Sequence, residues 1–133
     1  MRPCFLLILL AASNVAVAFS DFKCVVKDSI YLENDGSLNH KTNLATAYIG
    51  KEFTVNRSSG LISGGGLTNS MSGIMPSVYD YRPKDNGYKA VTHYKPNNTI
   101  DYLQINQFTE GNEKPFFFKG AFGTMVSGIC RAY

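Results

Sequence analysis

Apolar and polar residues alternate with a period of two over short stretches of this chain, and turn-forming clusters punctuate them at nearly regular intervals. In "EFTVNRSSGLIS", Phe53 and Val55 are separated by polar neighbours, the pattern breaks at Ser58-Ser59-Gly60, and it resumes at Leu61-Ile62. "LENDGSLN" carries Asn34-Asp35-Gly36 between two short candidate strands, a composition suited to a tight reversal. "RPKDNGY" and "YKPNNT" supply two more reversals built on Pro and Asn. No window of eleven or more residues keeps the i, i+3, i+4, i+7 spacing of an amphipathic helix. The pattern predicts an all-β fold: a single small antiparallel β-sandwich or barrel with short strands and tight turns.

One hairpin is specified closely enough to assign faces. With Lys95 to Asn98 as a four-residue loop, Tyr94 pairs with Thr99, Thr92 with Asp101, Ala90 with Leu103 and Tyr88 with Ile105. That face is mostly apolar. The other carries His93 opposite Ile100, Val91 opposite Tyr102 and Lys89 opposite Gln104, a mixed surface suited to solvent. Phe116, Phe117 and Phe118 in "KPFFFKG" break the alternation, so the expectation is a strand near a sheet edge with both sides covered. Lys114 and Lys119 flank it as charges that discourage edge pairing.

The first eighteen residues read differently. Arg2 precedes an apolar run from Cys4 to Ala12 and the small-residue site Ala16-Val17-Ala18, the pattern of a cleaved secretory signal peptide. Residues 1–18 are therefore assigned to a leader and 19–133 to a single all-β domain. No segment is long and apolar enough for a membrane span. About 115 residues remain, enough for one core and little more. Loss of Arg2 takes the formal charge from +3 to +2, and the Lys and Arg residues are scattered among acids, so neither nucleic acid nor an anionic membrane is an expected partner.

Of the three cysteines, Cys4 leaves with the leader and Cys24 and Cys130 remain, an even count that in an exported chain reads as one disulfide. Such a bridge would join the termini and set the first and last strands side by side. Closing a loop on the order of 100 residues is worth up to about 4.7 kcal/mol by chain entropy.

Candidate chemistry is sparse. "LISGGGLTNSMSG" lacks the lysine of a phosphate loop and the third spaced glycine of a dinucleotide loop, so Gly64-Gly65-Gly66 reads as backbone in positive-φ or closely approached conformations. The only histidines are His40 and His93; His93 and Asp101 fall on opposite faces of the hairpin. Glu33, Glu52, Glu110 and Glu113 lie in or beside turns, where solvated acids are expected. No catalytic residue, metal site or cofactor is predicted. Asn56-Arg57-Ser58 and Asn97-Asn98-Thr99 match the N-glycosylation acceptor pattern at turns, hence at the surface.

The segments "EFTVNRSSGLISG", "YKAVTHYKPNNTIDYLQINQF" and "VSGIC" resemble small exported bacterial proteins of uncharacterised function. The resemblance implies a periplasmic or secreted setting and no catalytic residues. The function expected from the residues is a non-enzymatic interaction module for an extracytoplasmic protein partner. Its contacts would be Tyr79, Tyr81 and Arg82 in "YDYRP", with Lys89, His93 and Tyr102 on the outer hairpin face. The alternatives are a small hydrolase or carbohydrate-active enzyme whose acids converge only in the fold, and a structural envelope component. Oligomeric state is not encoded in any of these features.

Overall fold

The computed structural model describes residues 20–81 and 87–133. The leader assigned to 1–18, Arg82 and most of the "RPKDNGY" reversal lie outside the described residues. Nine strands occupy the described chain: β1 (Phe22–Leu32), β2 (Leu38–Asn39), β3 (Glu52–Val55), β4 (Ile62–Gly64), β5 (Ser77–Tyr79), β6 (Tyr88–Tyr94), β7 (Thr99–Ile105), β8 (Lys114–Lys119) and β9 (Thr124–Ala132). They form one antiparallel sheet in the order β4-β3-β1-β9-β8-β7-β6-β5, with β2 paired to β1. One α-helical turn, Asn43–Thr46, is capped by the Thr42 hydroxyl accepting from Ala45 N–H at 2.9 Å, and Met71–Gly73 form a short 3-10 turn.

The turn residues act where expected. Asn34-Asp35-Gly36 reverses β1 into β2, with Asp35 Oδ1 accepting from Ser37 N–H and O–H. Residues 57–59 turn β3 into β4, and Lys95 to Asn98 turn β6 into β7 in the register read from the sequence, from Tyr88 opposite Ile105 to Tyr94 opposite Thr99. Strand lengths depart from the expectation: β1 runs for 11 residues and β9 for 9. Their length follows from their position, since each is hydrogen-bonded on both sides near the middle of the sheet. Cys24 stands opposite Cys130 across them, and the disulfide closes a sequence separation of 106.

Alternation decides what goes inside. Phe22, Cys24 and Val26 of β1 are buried, as are Phe53 and Val55 of β3, Tyr88 and Ala90 of β6, Leu103 and Ile105 of β7, Phe116 and Phe118 of β8, and Val126 of β9. Each fully buried large apolar side chain contributes roughly 1.5–3 kcal/mol. Two ring contacts show that the sheet curls into a half-barrel around this core. Phe22 meets Tyr88 at 5.2 Å although β1 and β6 are separated by three intervening strands, and Phe53 meets Phe116 edge-on at 5.1 Å.

The curl has a local cause. The β1–β9 register slips between Val26 and Asp28, and opposite this bulge lies Gly128. A Cβ on Gly128 would come within 2.0 Å of the Val25 carbonyl oxygen and 2.8 Å of the Phe116 ring, so only glycine lets the bulged strand approach.

Where the curled sheet brings β4 toward β6, Asn69 staples the seam. Its buried side chain accepts from Ile62 N–H at 3.0 Å and donates to the Gly60 carbonyl at 2.8 Å, satisfying the edge of β4. Its own carbonyl accepts from the Thr92 hydroxyl of β6 at 2.7 Å. The glycine run leads into this staple: Gly64, Gly65 and Gly66 all have positive φ, and Gly65 lies against the Glu52 carbonyl and Phe53.

One expectation needs correction. β8 is central, between β9 and β7, and only Phe116 and Phe118 are buried; Phe117 points outward, 40% exposed. Among the described residues no second layer covers the outer side of β8, so the odd ring remains at the surface.

Candidate functional site

Because side chains alternate, the pairings define rows across the outer side of the sheet. One row runs Tyr79, Lys89, Gln104, Phe117, Ser127, and its neighbour runs Ser77, Val91, Tyr102, Lys119, Met125, Ile30. His93 stands outward opposite Ile100. Tyr79, Lys89, His93 and Tyr102 thus share one face. Tyr81 follows β5 at 69% exposed, its ring 6.4 Å from that of Tyr79. Tyr102 O–H donates to Gln104 Oε1 at 2.6 Å, and Gln104 Nε2 donates to Asn106 Oδ1 at 2.7 Å, a polar chain that orients the phenol along β7. His93 Nε2 contacts Asn98 Oδ1 at 2.7 Å, away from Asp101, as the hairpin register requires. The acceptor asparagines Asn56 and Asn97 are exposed.

Two polar constellations inside the curl were not recognisable as such in the sequence. At the end of the sheet where β6 begins, Arg57 of the β3–β4 turn is held among aromatic rings and acceptors. Its Nε donates to Asp80 Oδ2 at 3.0 Å, its Nη2 donates to Gln107 Oε1, and its guanidinium carbon lies 4.7 Å above the Phe22 ring. Gln107 Nε2 donates to the other Asp80 oxygen at 3.0 Å, closing a ring of three side chains from three separate loops. Arg57 and Asp80 side chains are 11% and 13% exposed. Tyr88 O–H donates to the Arg57 carbonyl at 2.8 Å; burial first, then the Asp80 charge, push its pKa well above the usual phenol value.

At the opposite end of β6, Tyr94 O–H donates to Asp101 Oδ2 at 2.5 Å, and Ala121 N–H donates to Asp101 Oδ1. The Tyr94 oxygen also accepts from Met71 N–H at 3.3 Å. Asp101 is 2% exposed. Burial pushes its pKa up, and the hydrogen bonds from Tyr94 and Ala121 and the charge of Lys119 only partly oppose that. The Tyr94 pKa is raised to about 12 by burial and by the bonded carboxylate. Asp101 lines a cleft of about 180 Å³ whose walls include Tyr48, Leu67, Phe118 and Phe122. The hairpin register already put Asp101 on the mostly apolar face, and a carboxylate there needs donors. One of its donors, Tyr94, lies on the same face of that hairpin; the other, Ala121, came from a turn twenty residues away.

Away from these sites, His40 Nδ1 contacts Asp28 Oδ1 at 3.1 Å on the surface, and that interaction with Ser29 N–H lowers the Asp28 pKa. Among the described residues, no three His, Cys, Asp or Glu side chains group as a metal site requires, and no helix is long and apolar enough to cross a membrane. No family model, no curated protein and no solved structure matches the chain.

Proposed function

We propose that the chain is an exported, non-enzymatic binding module that engages an extracytoplasmic protein partner through the outer face of β5, β6 and β7. One observation carries this reading: Tyr79, Lys89, Tyr102 and His93, from three strands, stand on the same outward side of the sheet. Tyr81, Ile100 and Phe117 add exposed apolar area beside them. Tyrosine suits such a face because a large ring with a polar tip gives contact area at low entropic cost. Export is supported by the leader-like opening of the sequence and by the Cys24–Cys130 bridge, which persists in oxidising compartments. We read the curled sheet as a barrel opened along the seam that Asn69 bridges, an architecture that turns its polar and tyrosine-bearing rows outward.

The test is capture from an extracytoplasmic extract with the oxidised protein, with variants on and off the face. A partner retained by the wild type and by Leu38→Ala on exposed β2 should be lost at least about tenfold by the Tyr81→Ala/Tyr102→Ala double variant, the effect of removing two contact anchors. Circular dichroism establishes that each variant is folded. Equal capture by all three proteins, or no partner enriched over reduced and unfolded protein, would sink the proposal.

A further inference from the structure

The cleft over Asp101 is separate from the outer face, on the inner side of the sheet at the end where β6 finishes. We propose that it is a binding site for a small organic cation carrying an alkylammonium head.

The Asp101 carboxylate is hydrogen-bonded but has no described cation against it. Each carboxylate oxygen offers two lone-pair sites, and each receives one described donor, Tyr94 O–H on Oδ2 and Ala121 N–H on Oδ1. Two acceptor positions are left. Among the described residues no cation makes an ion pair with Asp101, and Lys119, which acts on it from a distance, directs its ammonium to the Ile100 carbonyl at 3.3 Å. A carboxylate withdrawn from water in this way is costly until a cation meets it. An ammonium group would supply both the missing charge and N–H donors.

The walls specify the rest of the ligand. Tyr48, Leu67, Phe118 and Phe122 line the same cleft as Asp101 and supply two kinds of surface: aromatic rings, which attract cations through their π faces, and aliphatic carbon, which accommodates a short alkyl chain. A neutral alcohol would gain only the second, and an anion would be repelled by Asp101. Phe122 lines the cleft yet is 78% exposed and lies outside the core, so it can be replaced without disturbing the fold.

The experiment titrates n-butylammonium into the isotopically labelled, oxidised protein at pH 7, following the backbone amides of Leu67, Thr68 and Ala121 by NMR. n-Butanol and butyrate serve as neutral and anionic controls. The expected result is saturable shifts with butylammonium alone. Asp101→Asn should weaken binding by about tenfold or more, the loss of a charge-assisted contact, and Phe122→Ala by about threefold, the loss of one exposed cation–π partner. Because Phe122 is exposed, its variant stays informative even if Asp101→Asn fails to fold. Absence of saturable shifts, equal response to butanol or butyrate, or unchanged affinity in folded Asp101→Asn or in Phe122→Ala would each overturn the proposal.

Discussion

β6 delivers a buried tyrosine to each end of the half-barrel, and the two ends treat charge in opposite ways. Tyr88 belongs to the end where a cation, Arg57, meets a carboxylate, an amide and two aromatic rings. Tyr94 belongs to the end where a carboxylate, Asp101, is held by two donors and borders a cleft. A larger cleft of about 470 Å³ also lies beside Arg57, but its cations have acceptors at hand: Arg131 with Glu113, Lys114 with the Thr109 carbonyl. Similar burial therefore yields different capacities. A charge neutralised within the chain ties loops together, whereas one left without a contacting counter-ion is disposed to receive a ligand.

The largest expected effect comes from breaking the neutralised end. Arg57→Ala would take the guanidinium out of a buried ion pair with Asp80 and off the Phe22 ring, and should lower the unfolding free energy by about 3–5 kcal/mol in urea titrations. A loss below about 1 kcal/mol would mean that the ring of side chains is replaceable by water and that the contrast between the ends is unfounded. Removing the Cys24–Cys130 bridge, which joins β1 to β9 close to that end, should cost about 2–5 kcal/mol on the same measurement.

Asp101→Asn should have a smaller effect whose size depends on pH. The folded-state pKa of Asp101 is raised above its ordinary 3.8, so its ionisation opposes folding: the wild type holds this contribution below that value and loses it as pH rises through the raised one. The variant does not titrate there. Its urea midpoint should gain on the wild type as pH increases across this window, and a gap that stays constant or closes with rising pH would show that the carboxylate is not desolvated. The smallest effect is expected at Ser29, whose buried hydroxyl oxygen has no hydrogen-bond partner among the described residues; Ser29→Ala should be neutral or stabilising by up to about 1 kcal/mol in thermal melts. A clear loss would reveal a partner for that hydroxyl.

Several of these features were determined by the sequence alone. Alternation from Tyr88 to Ile105 dictates which side chains face together, and the Pro-Asn-Asn loop sets the register, because both depend on residues close along the chain. With Cys4 assigned to a leader, Cys24 and Cys130 leave one pairing, and the bridge joins adjacent strands as that pairing requires. The glycine run was legible as conformational because a phosphate loop needs chemistry that is absent from it.

Only the tertiary structure decided the curl and everything that depends on it. Alternation states that Phe116 and Phe118 oppose Phe117, but which side receives a core depends on Phe53 and Phe22 arriving from the far side of a bent sheet. Asn69 looks like a loop polar residue until β4 and β6 approach it from both sides. Arg57 and Gln107 are fifty residues apart, and Asp101 and Ala121 twenty, with no local pattern to couple them. Backbone periodicity records the direction in which a side chain points. What it meets there depends on how the sheet bends, and that was settled by the β1 bulge opposite Gly128 together with packing of the whole core.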